Sequence, residues 1–529
     1  MNSPNPPSGS PPATGPVLAV AVPCPLADSL DYLPPEGVDP AGLRPGVRVR
    51  VPFGKRRLVG VLVGVLDRPR HDPARLRPAE AVLDEVPLID PQLLALAHWA
   101  AGYYHHATGE VFAALLPVRL RQGAPAAGRP ARRWRLTEAG AAVTADACAR
   151  APRQQALLDR LREGELADEA ITGAGDRASL RRLRDKGWVA AIEAAPGLPP
   201  LPPATPPAPE PAQRAAIEAI TGALGGFERF LLEGVTGSGK TEVYLRAIQA
   251  CLARGEQALL LVPEIGLTPQ LVSRLRRRLD CDIAVLHSAL PEGERLNAWL
   301  AAQRGEVGVV VGTRSAVFTP LARPGLFLID EEHDPSFKQQ DGFRYSARDL
   351  LIRRAQLAGV PAVLGSATPS LESLYNAERG RYRRLHLPER AGGAEAPPLS
   401  LIDVRAQPMD EGLSLALRQR MADTLAAGNQ VLLFLNRRGF APVLLCHPCG
   451  WVARCERCDA HLTLHQRRGR LHCHHCDHQR AIPAHCPQCG SAELRAVGTG
   501  TERVEQALQT HFPEARILRI DRDSSRGRG

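Results

Sequence analysis

The chain has 529 residues, with 66 Lys+Arg against 56 Asp+Glu, a formal net charge of +10 and a pI near 9.2. That length predicts three or four domains, each with its own core, and the basic balance suits a polyanionic partner. No stretch approaches the ~18 uninterrupted apolar residues of a membrane span. Residues 1–16, rich in Pro, Ser and Asn, lack the basic and apolar regions of a signal peptide and read as a disordered tail.

After the tail, Val17–Val22 and the alternating Val47–Pro52 predict strands, joined through the turn Pro52–Lys55 to a strand over Leu58–Leu66. A helical stretch over Pro91–Tyr104 closes this small β-rich domain, and the Gly/Ala/Pro-rich residues Gln122–Pro130 read as a linker. Helical pieces follow at Gln154–Arg162, near Leu166–Ile171 and over Ala178–Lys186, then a short strand after Gly187. This order suggests a winged-helix module with Ser179–Arg184 as recognition helix; a plain three-helix scaffold or a protein-docking domain fits the same pattern. Residues 195–211 hold nine prolines in 17 positions, a stiff, extended spacer. Beyond it, strands and helices alternate as in a parallel sheet. Strands are expected at Phe230–Glu233, Ala258–Val262, Ile283–Leu286, Val307–Val311, Leu326–Ile329 and Ala362–Leu364, and Val431–Leu435 opens a second α/β unit.

Chemistry concentrates on the first of these units. Gly234, Val235, Thr236, Gly237, Ser238, Gly239, Lys240 and Thr241 fit G-x-x-x-x-G-K-S/T between a strand and a helix over Glu242–Leu252. Backbone N–H groups of such a loop face phosphate oxygens, Lys240 reaches the β/γ-phosphates and Thr241 the Mg²⁺, so ATP and Mg²⁺ are the expected ligands. Asp330 and Glu331 end the strand Leu326–Ile329; Asp330 is expected on the Mg²⁺ shell and Glu331 as the base that polarises the attacking water. Gly365–Pro369, Gly312–Ser315 and Pro263–Pro269 also follow strand ends, the ligand edge of a parallel sheet.

Eight of the twelve cysteines form four Cys-x-x-Cys pairs within 44 residues: Cys446/Cys449, Cys455/Cys458, Cys473/Cys476 and Cys486/Cys489. Four knuckles at this spacing predict two closed four-thiolate sites holding two Zn²⁺, although spacing leaves nested and sequential pairing equally open. A redox use of the pairs is the rival reading, and it predicts no bound metal. Cys24, Cys148, Cys251 and Cys281 show no disulfide-like framework, which points to a reducing cytoplasm.

These blocks, in this order, resemble the superfamily 2 helicases. With GVTGSGKTEVY, DEEHD, KQQDGFRYSARDL, GSATPS and FLNRRGF followed by the eight cysteines, the chain resembles more specifically the PriA (primosomal protein N′) family, from Val17 onward. The resemblance implies RecA-like α/β lobes behind a β-rich DNA-binding domain and a winged-helix domain, with a two-zinc insertion. The expected division is a tail at 1–16, a 3′-DNA-end-binding domain at 17–122 and a winged-helix domain at 131–194. A linker at 195–211 then leads to lobe 1 at 212–388 and lobe 2 at 389–445 and 490–529, interrupted by the zinc insertion at 446–489. The same resemblance implies nested pairing, Cys446/Cys449 with Cys486/Cys489 around Cys455/Cys458 with Cys473/Cys476, which leaves the neighbouring histidines outside the metal sites. It assigns Asp31 and Gly54 to a pocket for a nascent 3′ end, and Phe337, Lys338, Phe343, Arg344 and Tyr345 to an aromatic-rich loop sensing single strands. A surface loop with its rings packed inward is the competing reading of that loop. Gln213 is implied as a weak base contact.

The implied function is an ATP-dependent 3′–5′ DNA helicase that recognises stalled or branched forks and initiates primosome assembly. Its implied partners are forked and single-stranded DNA, single-stranded-DNA-binding protein and other primosome components. Residues after Pro388, less the cysteine block, number 97, and the family's QxxGRxGR segment, which carries its arginine finger, has no counterpart before Gly529. A truncated lobe 2 is therefore expected. Because an arginine finger contributes about 10³–10⁵ in turnover, a DNA-binding and loading platform with little unwinding is the alternative. An RNA helicase with zinc ribbons is a further rival.

Overall fold

The computed structural model describes residues 15–70, 72–128, 132–148, 151–167, 171, 173–193, 206–264, 268–393, 397–405, 407–434, 443–458, 460–465, 470–473, 476–497 and 501–520. The predicted tail (but for its last two residues), most of the Pro-rich spacer, the Asn436–Phe440 block, His474, His475 and the last nine residues lie outside the described residues. The chain divides into two compact units, 1–395 and 396–529.

The first unit opens with β1 (Val17–Ala21), β2 (Leu30–Tyr32), β3 (Arg48–Phe53), β4 (Arg56–Leu66) and β5 (Ala81–Val82), an antiparallel sheet of order β2-β1-β4-β3-β5. Alternation in β3 sends Val49 and Val51 into one core with Leu18, Val20 and Leu62. The opposite face meets α1 (Pro91–Tyr103), α2 (Thr108–Ala114) and α3 (Val118–Arg121). Asp90 caps α1 by accepting from the Leu93 N–H, and Pro91 occupies the first turn, where its missing N–H costs nothing.

Arg48 breaks the alternation rule, because it is fully buried on that helical face. Its Nε and Nη2 donate to the Asp84 carboxylate at 2.9 and 2.7 Å, and Nη1 donates to the Leu120 and Ala124 carbonyls at 2.8 Å. The pair thus ties the sheet to the end of α3.

Next come β6 (Arg132–Leu136), α4 (Glu138–Ala141), α5 (Pro152–Glu163), β7 (Leu166–Ala167), α6 (Ala174–Asp185) and β8 (Val189–Glu193), a sheet of order β7-β6-β8 carrying α5 and α6. The helix expected near Leu166–Ile171 is replaced at its start by β7, whose Leu166 pairs with Trp134. The ladder to β6 supplies partners for the backbone of Leu166 and Ala167. Residues 168–170, where most of that helix was expected, lie outside the described residues.

After α7 (Pro211–Gly222) the first unit builds its main sheet from β9 (Arg229–Gly234), β10 (Gln257–Leu261), β11 (Ile283–Leu286), β12 (Val309–Gly312), β13 (Pro324–Asp330), β14 (Ala362–Ser366) and β15 (Arg383–Leu387). All neighbours pair in parallel, in the order β11-β12-β10-β13-β14-β9-β15. One face is covered by α7, α8 (Lys240–Ala253) and α9 (Pro269–Arg278), the other by α10 (Glu292–Arg304), α11 (Ala347–Ala358) and α12 (Leu371–Glu378). The second face's core runs without a break from Trp299, Phe318 and Leu350 into Leu93, Leu96 and Phe112 of the N-terminal helices, so the two domains share one apolar interior.

The second unit contains the hairpin β16 (Met409–Asp410) and β17 (Leu413–Ser414), then α13 (Leu415–Ala426). An antiparallel sheet of β18 (Val443–Cys446), β19 (Thr463–His465), β20 (Arg470–His472), β21 (Gln479–Ala481) and β22 (Leu494–Val497) follows, and α14 (Thr501–His511) closes it. The strand expected over Val431–Leu435 is not formed among its described residues: no neighbouring strand takes up its backbone, and Leu432 and Phe434 are 89% and 83% exposed. A second parallel-sheet lobe is therefore not seen among the described residues, where every strand pair of this unit is antiparallel.

The buried Arg48–Asp84 pair carries a clear expectation. Asp84→Ala leaves a guanidinium charge uncompensated in the interior, which costs about 3–5 kcal/mol. Hydrogen exchange on the intact chain is expected to show that loss at the amides of β3.

Candidate functional site

Residues Gly234–Thr241 form the loop between β9 and α8, where Gly237 and Gly239 take φ of +84° and +81°. Gly239 also allows a close approach: a Cβ there would lie 2.5 Å from the Gln213 amide nitrogen. That amide donates to the Ser238 carbonyl at 2.9 Å, and its oxygen accepts from the Glu210 N–H at 3.1 Å. Gln213, implied as a base contact, is thus engaged in holding the loop. Lys240, nearly buried, donates to the Gly234 carbonyl at 2.9 Å across the loop.

The loop borders a cavity of about 1030 Å³ that Asp330 and Glu331 also line, together with Arg274 and Arg277 of α9. This donor set fits a nucleoside triphosphate and its divalent cation: backbone N–H groups and Lys240 for the phosphates, Thr241 and Asp330 for the metal. Asp330, at the end of β13, accepts from the Tyr244 hydroxyl at 2.9 Å. Burial pushes the Asp330 carboxyl above its ordinary range, and the Tyr244 hydrogen bond and the Lys240 charge oppose the rise. A bound cation opposes it further. Glu331 has φ +48°, a left-handed conformation that costs a residue with a Cβ about 1–3 kcal/mol. The strained turn lies between Asp330, bonded to Tyr244, and a Glu331 side chain that stays partly exposed.

Around these carboxylates the strand ends are cross-linked. His333 Nδ1 lies 2.7 Å from Ser366 Oγ, and Ser366 Oγ accepts from the Thr368 N–H at 2.9 Å. The Glu332 N–H donates to the Gly365 carbonyl at 3.0 Å. Gly365 is required by shape, since a Cβ there would meet the Tyr244 hydroxyl oxygen at 1.5 Å. Sequence reasoning did not single out Tyr244 or Glu332, although both stand inside the motif strings GKTEVY and DEEHD.

In the loop over 336–348 the rings face inward. Phe337, Phe343 and Tyr345 are buried, with Phe343 and Tyr345 packed on each other at 4.9 Å and Tyr345 edge-on to Phe318 at 5.1 Å. The rings serve the lobe's core, as in the inward-packed reading, and only Lys338 and Arg344 of the five residues face solvent.

In the N-terminal domain the Asp31 side chain is fully buried and held by the Arg70 guanidinium and by the Arg70 N–H at 2.6 Å. Its carboxylate is closed within the protein, and Arg70 is the exposed cation above it. Gly54, at φ +58°, is the first residue of the two-residue turn between β3 and β4. Tyr32 donates to the Pro52 carbonyl at 3.2 Å, which joins β2 to the strand ending in that turn.

The eight cysteines gather as two sets, Cys446, Cys449, Cys486, Cys489 and Cys455, Cys458, Cys473, Cys476. Sulfurs facing each other across each set lie 3.5–3.6 Å apart. A disulfide needs about 2.05 Å, whereas zinc–sulfur bonds of about 2.3 Å give tetrahedron edges of about 3.8 Å. The sets therefore fit two zinc ions, paired in the nested order. Backbone N–H groups of Arg457 and Gln488 reach Cys455 and Cys486 sulfurs at 3.4 Å, which favours the thiolate. The residue after the second cysteine takes positive φ in three knuckles, at Gly450, Asp477 and Gly490, and turns the chain back to close them.

Three family profiles match parts of the chain: the 3′DNA-binding domain (3′BD) of PriA over residues 19–117, the DEAD/DEAH box helicase over 210–377, and the PriA DNA helicase Cys-rich region over 455–480. Curated proteins described as replication restart protein PriA are similar along the chain. That of Haemophilus influenzae is 42% identical over 97% of this chain and 71% of its own length. That of Treponema pallidum is 37% identical over 91% of this chain and 63% of its own length. The Bacillus subtilis protein is 44% identical over 60% of this chain, and the match spans 40% of that protein.

Two measurements check the site. Gly365→Ala is expected to depress ATP hydrolysis by displacing Tyr244 from Asp330, and adding Tyr244→Phe to restore part of it, since the oxygen at 1.5 Å is then gone. Replacing Cys446, Cys449, Cys486 and Cys489 together by serine is expected to leave one zinc per chain by metal analysis. Sequential pairing would leave none.

Proposed function

The chain belongs to the PriA family of replication restart proteins, and from that membership we propose that it is an ATP-driven DNA helicase moving 3′ to 5′, engaging stalled or branched forks and initiating primosome assembly. One observation carries the reading. The lobe holding Lys240, Asp330 and Glu331 shares an unbroken apolar core with the domain matching the 3′DNA-binding profile, so a motor and a DNA-end reader form one body.

ATP is the substrate, and its divalent cation neutralises charge on the β- and γ-phosphate oxygens when bound. The chain's own groups do the rest. Loop N–H groups and Lys240 orient the phosphates, Thr241 and Asp330 hold the cation, and Glu331 orients water and accepts its proton. His333, Ser366 and Thr368 then pass the state of that site to the neighbouring strand end. Lys338 and Arg344 offer charge to a sequence-independent strand. The proposed partners are forked and single-stranded DNA, single-stranded-DNA-binding protein and primosome components. No described helix is long and apolar enough to cross a membrane, and the metal-binding thiols favour a reducing cytoplasm.

A loading platform with little unwinding is the second reading. It is favoured by the absence of a second parallel sheet among the described residues of 396–529.

DNA-stimulated ATP hydrolysis separates the readings. The intact chain is expected to hydrolyse ATP faster with forked DNA than with duplex RNA, and Lys240→Ala to abolish the stimulated rate. Equal, negligible hydrolysis by both proteins would defeat the motor and leave the platform.

A further inference from the structure

The nucleotide cavity has a wall that neither the phosphate loop nor the two carboxylates supply. It comes from α9, whose Gln270, Ser273, Arg274 and Arg277 recur three and four residues apart and so share one face. The opposite face sends Leu275 into the core. Thr268 caps the helix by accepting from the Leu271 N–H at 3.3 Å, and Pro269 fills its first turn.

Two contacts hold α9 against α8. Arg278 donates through Nη1 and Nη2 to the Glu242 carboxylate at 2.7 Å each, and the Gln249 amide donates to the Arg278 carbonyl at 2.8 Å. Arg246 Nε gives Glu242 a further donor at 2.9 Å. Glu242 directly follows Thr241, so without these partners it would set a negative charge beside the phosphates. The bidentate clamp neutralises that charge and fixes the helix that carries the wall. Arg274 and Arg277 are not used in this way. Both stay exposed, and among the described residues neither has an ion-pair or hydrogen-bond partner. Like charges on one helix face repel mildly, and an anion in the cavity relieves that repulsion.

We propose that Arg274 and Arg277 bind the terminal phosphate of the nucleotide and so favour ATP over ADP. The proposal rests on the reading of this cavity as the ATP site. The lining places the two arginines at that end of the ligand. They share the cavity with Thr241, Asp330 and Glu331, and a cation held by Thr241 and Asp330 bridges β- and γ-phosphate oxygens. Glu210 and Gln213, on the α7 side of the loop, are not among the lining groups. The planar guanidinium fork matches two phosphate oxygens at once, a geometry that Lys240 lacks. A diphosphate leaves both forks without their ligand.

The test compares the intact chain with Arg274→Ala, Arg277→Ala and the corresponding lysine variants. Binding of a fluorescent, slowly hydrolysed ATP analogue and of the matching ADP is measured with Mg²⁺ and without DNA. Each alanine variant is expected to weaken ATP-analogue binding about tenfold, the loss of one hydrogen bond to a charged group. ADP binding should change by less than about twofold, below the value of such a bond. Lysine keeps the charge without the fork and should recover part of the loss. Both positions are exposed on a helix, where alanine is well tolerated, so melting temperatures should stay close to that of the intact chain. Equal losses for the two nucleotides, or no loss for either, overturn the proposal. Weaker binding of a single-stranded oligonucleotide with unchanged nucleotide affinity also overturns it and assigns the wall to DNA phosphates. An intact chain that binds neither nucleotide overturns the reading of the cavity itself.

Discussion

Parallel pairing forces all seven strands of the main sheet to release their loops at one edge, and the chemistry of the protein depends on that constraint. β14 separates β9 from β13, so the phosphate loop and the two carboxylates face each other across one strand width, about 4.8 Å on either side. Tyr244 reaches from α8 to Asp330 by passing over Gly365, which explains why the intervening strand has a residue without a side chain one position before its end.

Most of this edge was legible in the sequence. Apolar runs bounded by turn residues located six of the seven strands, because strands buried on both faces need such runs whatever their neighbours. The seventh, β15, reads Arg-Arg-Leu-His-Leu, and its edge position lets charged side chains stay in solvent. Val431–Leu435 misled for the opposite reason: it has the composition of an interior strand but no sheet beside it among the described residues. The aromatic-rich loop shows a further limit. Composition cannot tell whether Phe343 and Tyr345 face a nucleobase or Phe318, and that depends on a neighbour far away in sequence. The cysteine pairs fixed the number of metal sites, while the choice between nested and sequential order came from family resemblance and then from the distances between sulfurs.

Several buried charges of the interior are handled by local partners. Arg48 is spent on Asp84 and two carbonyls, and Arg354 on the Val317 and Thr319 carbonyls. Burial lowers the Arg354 guanidinium to about 10, still far above neutrality, so its charge persists inside the lobe. Such groups contribute little net stability against apolar replacements, but each penalises any arrangement that would strip its partners. They fix where the helices sit against the sheet more sharply than apolar packing alone.

The nested cysteine order also makes the two closures depend on each other. Cys458 and Cys473 face each other across 15 positions, Cys446 and Cys489 across 43. Loop closure over the longer span costs about 0.9 kcal/mol more chain entropy. Once the inner site has formed, the outer pair closes a chain already shortened by it. Closing the inner set therefore lowers the cost of closing the outer one, and with it the cost of drawing together the insertion's two ends.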